Sequence, residues 1–147
     1  MSQNHQLCTF YLDGLFFGVE VQHVHEVICN QRLTRVPLAS PVVRGLINLR
    51  GEIVMALDLR RQLQLSERAA DQVPMNVVVC TDEGPISLLV DAIGDVVTVD
   101  AQAFERLPDT VTGIARELVR GAYKLNDQLL LLLDTEKAAR VGEYALN

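Results

Sequence analysis

Tryptophan is absent from this 147-residue chain, and aromatic residues make up only 5% of it. A core must therefore come from Val, Leu and Ile, whose branched side chains favour the pleated surface of β structure. Basic charge is also scarce. Thirteen Lys and Arg stand against 19 Asp and Glu, for a net charge of −6. Binders of nucleic acid or lipid headgroups carry a basic face, so an acidic protein that meets other proteins is the simpler reading. The one tight basic cluster is Arg60-Arg61, with Arg68 further on, and Arg60-Arg61 reads as a solvated helix face. Long apolar runs are missing too. None exceeds the length of Leu129 to Leu133, far too short to span a bilayer, which excludes direct membrane insertion by a helix. Met1 to Gln6 lacks the charged start and apolar core of an export signal, so a cytoplasmic location is expected.

Chemistry-bearing motifs are equally sparse. Cys8, Cys29 and Cys80 are odd in number, widely spaced and form no C-x-x-C, so neither a disulfide framework nor a thiolate metal site follows. Cys80, after three valines, reads as a core thiol. No G-x-G-x-x-G, G-x-x-x-x-G-K-[ST] or G-x-S-x-G occurs, and no cofactor or metal is expected. His23 and His25 form the one close histidine pair. Two residues apart on a helix, they point in different directions and cannot share a metal. His5 falls in an expected frayed terminus.

What is present is a dense series of short apolar runs, in a chain of about one domain's length. Leu7 to Leu12, the turn signal Asp13-Gly14 and Leu15 to Val19 read as a hairpin. Val21, Val24, Val27 and Ile28 recur at helical spacing, which predicts a short helix with Gln22, His25 and Glu26 outward. Leu33 to Val36 reads as extended before Pro37. Pro41 to Arg44 reads as a helical turn closed by Gly45. Leu46 to Leu49 and Ile53 to Leu57 flank Arg50-Gly51-Glu52 as strands, and Asp58 caps a short helix from Leu59 to Leu63. Ser66 to Pro74 is a loop. Further strands are expected over Met75 to Cys80, Ile86 to Val90 and Val96 to Val99. A last hairpin spans Val119 to Leu133, and Asp134 caps a helix from Thr135 to Tyr144. Nine or ten short strands with little helix predict barrels or a sandwich.

Two features invite a functional reading. Asp58 and Asp91 each end a strand, and a small-barrel enzyme could use them as an acid/base pair. Convergence of both carboxylates in one pocket would support that, and separation into different barrels would exclude it. Asp at a strand end more commonly caps or turns. The second feature is Arg50, a lone base between a buried-looking strand and Gly51. Such a side chain is offered to a partner.

Several elements then fall together: V-x-x-V-x-E-V at Val21 to Val27, V-P at Val36-Pro37 and R-G-L-I-N-L-R-G-E-I-V at Arg44 to Val54. L-D-L-R follows at Leu57 to Arg60 and L-L-V-D-A-I-G-D-V at Leu88 to Val96. From about Leu7 to Ala138 the chain resembles the CheW family of bacterial chemotaxis coupling proteins. The resemblance implies a mainly β fold of two intertwined five-stranded SH3-like barrels on a shared core, forming one domain over 1–147. It implies a non-catalytic adaptor between chemoreceptor cytoplasmic tips and the regulatory domain of the histidine kinase CheA, held near the membrane through receptor arrays. Residue by residue, Arg50 matches the family's receptor-facing arginine and Glu26 the acidic residue beside it. Val24, Asn48, Leu49 and Gly51 complete the implied receptor site. The kinase neighbourhood is implied regionally around Leu57, Asp58, Leu59, Val90 and Asp91. Met55-Ala56 departs from the family's Pro-containing run, leaving one more backbone N–H to satisfy. A similar adaptor of a pilus-motility or second-messenger pathway is the alternative, and receptor identity separates the two. A detached kinase regulatory domain is less favoured, because the chain opens on Met1.

Overall fold

The computed structural model describes residues 4–29 and 31–141. Eleven strands form two sheets. β1 (Asn4–Leu12) and β2 (Leu15–Glu20) make the opening hairpin. The chain then passes to a second sheet through β3 (Val24–Ile28), β4 (Val43–Leu49), β5 (Glu52–Asp58), β6 (Met75–Thr81) and β7 (Gly84–Val90). It returns through β8 (Ala92–Asp100), β9 (Phe104–Glu105), β10 (Val119–Leu125) and β11 (Gln128–Leu133). The first sheet has the order β8-β1-β2-β11-β10-β9 and the second β3-β6-β7-β5-β4. Each contains one parallel pair, β2 with β11 and β5 with β7. The helices are short: α1 (Leu59–Gln62), α2 (Ile114–Leu118) and α3 (Thr135–Ala138).

The mainly β expectation holds, and against the expected pair of five-stranded barrels two details differ. The first sheet has six strands because β9 adds a two-residue rung, and the backbone ladders leave both sheets open. Side chains supply three cores. Leu7, Phe16, Val99, Tyr123, Leu130 and Leu132 pack within the first sheet, and Ile47, Val54, Ala56 and Leu89 within the second. The largest cluster is shared, joining Phe10, Leu12, Phe17 and Val19 to Leu57, Val77, Val79, Leu88 and Val90. Strict alternation lets one strand serve two cores. In β5, Val54 and Ala56 face the second sheet's interior while Met55 and Leu57 face the shared core.

Several expected elements change. Only Val21–His23 is helical, as one 3-10 turn, and Val24–Ile28 is a strand paired with β6. Val24, Glu26 and Ile28 are half-buried while His25 and Val27 are exposed. The operative period is therefore two, and Glu26 lies on the inner side rather than in solvent. A bulge between Val24 and Glu26 offsets the register, and the helical spacing arises because the exposed position Val27 is also apolar. Pro41 to Arg44 is not a helical turn either, since Val43 already pairs with Leu57. α3 ends at Ala138, and Tyr144 lies outside the described residues. His5 is not frayed, being paired with Val99. Cys80 is exposed, because the buried stretch of β6 ends at Val79. Met55 and Ala56 sit between β4 and β7, so ladder partners take up the N–H that a proline would lack.

Gly45 shows how tightly the β3–β4 connection is held. Thr34 and Leu46 exchange backbone hydrogen bonds of 2.8 Å. A Cβ on Gly45, whose φ is +154°, would lie 2.6 Å from the Thr34 carbonyl oxygen. Gly45→Ala is expected to destabilise the protein by roughly 1–3 kcal/mol through this backbone overlap. A lower urea midpoint with an unchanged m-value would show it.

Candidate functional site

The Arg50 turn is built from its backbone. Arg50 and Gly51 have φ of +53° and +89°, between the paired residues Leu49 and Glu52. Positive φ at both central positions is the type I′ pattern that matches the twist of a hairpin. The Asn48 side-chain oxygen accepts the Gly51 N–H at 2.9 Å and fixes the turn. Gly adopts such a backbone freely, whereas Arg is held there at a cost of roughly 1–2 kcal/mol.

Its side chain reaches across the sheet. Nη1 and Nη2 of Arg50 donate to the two carboxylate oxygens of Glu26 at 2.9 and 3.2 Å. Glu26 is on β3 and Arg50 follows β4, the two opposite edges of the second sheet. The sheet therefore curls until its edges meet, and Ile28 and Leu49 from those edges rest on one interior cluster. The fork is lopsided in exposure: the Arg50 side chain is 76% exposed and that of Glu26 17%. An exposed pair of this kind contributes about 0.2–1 kcal/mol, which does not exceed the strain of the turn. The His25 ring lies 3.7 Å from the same carboxylate.

The other residues of the implied receptor site are near but unequal. Asn48 and Gly51 are exposed, whereas Val24 and Leu49 are half-buried, Val24 packing on the shared core. Ile53, paired with Asn48 and 62% exposed, supplies apolar surface that the motif reading missed. Alternation puts Ile53 on the face of Met55 and Leu57, which is buried further along β5, so its exposure at the strand end beside Arg50-Gly51 is not legible from period two.

The region around Leu57, Asp58, Leu59, Val90 and Asp91 is of another kind. Leu57, Leu59 and Val90 are fully buried in the shared core and present no side chain to a partner. Asp58, 5% exposed, caps α1 by accepting the Arg60 N–H at 3.1 Å and the Arg61 N–H at 3.4 Å. Asp91 occupies the crossover from β7 back to β8. Its Oδ1 accepts Nε of Arg60 at 2.9 Å and Nε of Arg68 at 3.0 Å, and its Oδ2 accepts the Asp13 N–H at 2.7 Å. Arg60 is thus buried in an ion pair instead of lying on a solvated helix face, because the Asp91 carboxylate compensates its desolvation.

Asp58 and Asp91 do converge, since Arg68 lies 3.9 Å from one and 3.0 Å from the other. They converge on guanidinium groups, not on each other's proton. Burial alone would raise the Asp91 carboxyl, but hydrogen bonds from Arg60, the Asp13 N–H and Arg68 outweigh it and hold the pKa below its ordinary value. A general acid or base works best with a pKa near the operating pH, and this site moves the opposite way. The pair is structural. No cluster of three or more His, Cys, Asp or Glu that could hold a metal occurs among the described residues.

Comparison with known proteins agrees with this picture. The profile of the CheW-like domain family matches residues 6–143. The chain is 26% identical over 136 residues to a chemotaxis protein CheW of Treponema pallidum, covering 90% of this chain and 80% of that one. It is 27% identical over 137 residues to the chemotaxis protein CheW of Klebsiella aerogenes, covering 93% and 82%. The solved scaffolding protein TtCheW of Thermoanaerobacter tengcongensis superposes with a TM-score of 0.86 at 25% identity, over 98% of both chains.

Asp91→Asn leaves two buried guanidinium groups without their carboxylate and is expected to lower stability at pH 7 by about 3–5 kcal/mol. A depressed folded-state pKa gives stability that is present above the unfolded carboxyl pKa of about 3.9 and lost as pH falls through the folded value. The difference between wild type and variant should therefore shrink below about pH 4. Denaturant melts across pH 2 to 7 would check both signs.

Proposed function

The chain belongs to the CheW-like domain family of chemotaxis adaptors, and we propose that it couples chemoreceptor cytoplasmic tips to the regulatory domain of the histidine kinase CheA. It is a non-catalytic adaptor. The whole chain acts as one CheW-like unit, working in the cytoplasm at receptor arrays. No helix among the described residues is long and apolar enough to cross a membrane.

The observation that carries this reading is the Glu26–Arg50 fork. A side chain held in a left-handed turn at a net cost, and left mostly exposed, is selected for something other than stability. Its planar donors suit carboxylates or helix-end carbonyls of a partner. Glu26 keeps the guanidinium extended, so little side-chain freedom is lost on docking. Asn48 and Gly51 shape the turn, while Val24, Leu49 and Ile53 supply apolar surface for a receptor helix laid in a groove. The kinase contact lies over the β5–α1 region, where Leu57, Asp58 and Leu59, with Val90 and Asp91 from the β7 crossover, form its buried floor rather than its contact surface.

Two variants of Arg50 separate binding from folding. Arg50→Glu should abolish receptor-fragment binding while the circular dichroism spectrum and Tm stay near wild type. Arg50→Asn suits the left-handed turn better, so it should raise stability by up to about 1 kcal/mol while weakening the same binding at least tenfold. Unfolding of Arg50→Glu, or full receptor affinity in Arg50→Asn, would overturn the assignment.

A further inference from the structure

His25 is the extra residue of the β3 bulge. Val24 pairs with Val79 and Glu26 with Val78, so two steps along β3 match one step along β6. In a regular strand, neighbouring side chains point to opposite faces, which would carry His25 away from the Glu26 carboxylate. A bulge re-aims side chains. Nε2 of His25 comes to 3.7 Å from Oε1 of Glu26, the same oxygen that accepts Nη1 of Arg50 at 2.9 Å. That separation is too long for a hydrogen bond. The imidazole makes none elsewhere among the described residues, and its side chain is 48% exposed.

No other charged group lies within ion-pair distance of that ring among the described residues. β6 pairs with β3 and carries no charged side chain, its one titratable group being the exposed Cys80 thiol. The 3-10 turn before β3 carries His23, whose Nε2 lies 4.0 Å from Glu20. Beyond the Arg50 turn, Glu52 opens β5 and forms no ion pair among the described residues. In β4 the one charged residue, Arg44, is at the far end beside Asp58. The charges that face His25 are therefore Glu26 and, through it, Arg50.

With His25 neutral, the charges of Arg50 and Glu26 cancel. Once His25 is protonated, two cations share one carboxylate and a positive charge is left over. We propose that His25 makes the receptor contact pH-sensitive, strengthening the docking of an acidic receptor segment as the pH falls from about 8 to 6. This control rests on the adaptor reading and adds a regulation of its receptor site. Its sign follows from the chemistry of Arg50. A guanidinium has donors only and seeks an anionic group. A second cation beside Glu26 offsets the carboxylate that would repel such a group. Imidazole is the side chain whose charge ordinarily changes between pH 5 and 8. Because binding linkage is reciprocal, docking takes up part of a proton. Solvent screens this half-exposed site, so the gain in affinity is about two- to fivefold.

The test titrates a purified receptor-tip fragment against wild type, His25→Gln, His25→Lys and His23→Gln at pH 6 and pH 8. The side chain at position 25 is half-exposed and unbonded, so both of its variants are expected to keep the wild-type Tm. Wild type should bind about two- to fivefold more tightly at pH 6. Calorimetry in two buffers of different ionisation heat should show the proton uptake, which a merely structural histidine would not produce. His25→Gln should bind at the wild-type pH 8 level throughout, and His25→Lys at the tighter pH 6 level throughout. His23→Gln should keep the wild-type profile. A profile that survives in full in His25→Gln, is lost in His23→Gln or runs the opposite way overturns the inference. So does a His25→Lys protein that binds no more tightly than His25→Gln at pH 8. Equal wild-type affinity at both pH values overturns it too, while leaving the adaptor reading in place. A wild type that binds no receptor fragment at either pH removes the adaptor reading itself.

Discussion

The Asp91 carboxylate sits where the chain crosses from the second sheet back to the first, and it holds that junction. Its backbone N–H donates to the Tyr11 carbonyl at 3.0 Å, its Oδ2 takes the Asp13 N–H, and its Oδ1 takes Arg60 and Arg68. The opening hairpin, α1 and the loop before β6 therefore meet at one buried charge. Around it, the shared core of Phe10, Phe17, Leu57, Leu88 and Val90 sets the sheets face to face. Apolar burial supplies the driving force there, but it is non-directional. The ion pairs add direction, because each buried guanidinium tolerates only the arrangement that compensates it.

Burial divides the charged residues into two kinds. Arg60 and Arg68, with side chains 9% exposed, are committed to Asp91 and are too buried to meet a partner from outside, although Nη2 of Arg68 has no hydrogen-bond partner. Arg50, Arg35 and Arg44 are exposed, and their pairings are partial or absent. The same residue type thus locks the frame in one place and faces solvent in another. The exposed ones lie at both ends of β4, next to the side chains Arg50 and Leu38 that are held at positive φ. Strain of this sort persists only where the surrounding structure imposes it, and it clusters where a surface is used. Asp13 and Gln64 are also exposed at positive φ, so the conformation alone does not mark a site; at Arg50 it coincides with a guanidinium held extended, which suits an adaptor.

Much of this was legible in the residues. The opening and closing hairpins, the Asp58 and Asp134 caps and the strands on either side of Arg50-Gly51 follow from turn signals and alternation, and the structure contains them. Val24–Ile28 was not legible, because an apolar residue at the exposed position Val27 makes period two look like 3.6. That one misreading hid the site, since a helix would turn Glu26 to solvent, whereas the strand aims it at Arg50. Only the resemblance joined those two residues, which lie 24 positions apart. Arg60 was misread because its partner comes from a crossover 31 residues on, which no local pattern reveals.

In the proposed function Arg50 is presented to a receptor, and Glu26 only orients it. The charge-swapped variant Glu26→Arg/Arg50→Glu separates this from a purely internal pair, because it restores the ion pair with its polarity reversed. Receptor affinity and Tm measured on that double variant tell the two apart. A Tm close to wild type with receptor binding lost is the expected result. Recovery of wild-type affinity in the swapped protein would contradict it, since the pair itself, and not the exposed guanidinium, would then be what the receptor requires.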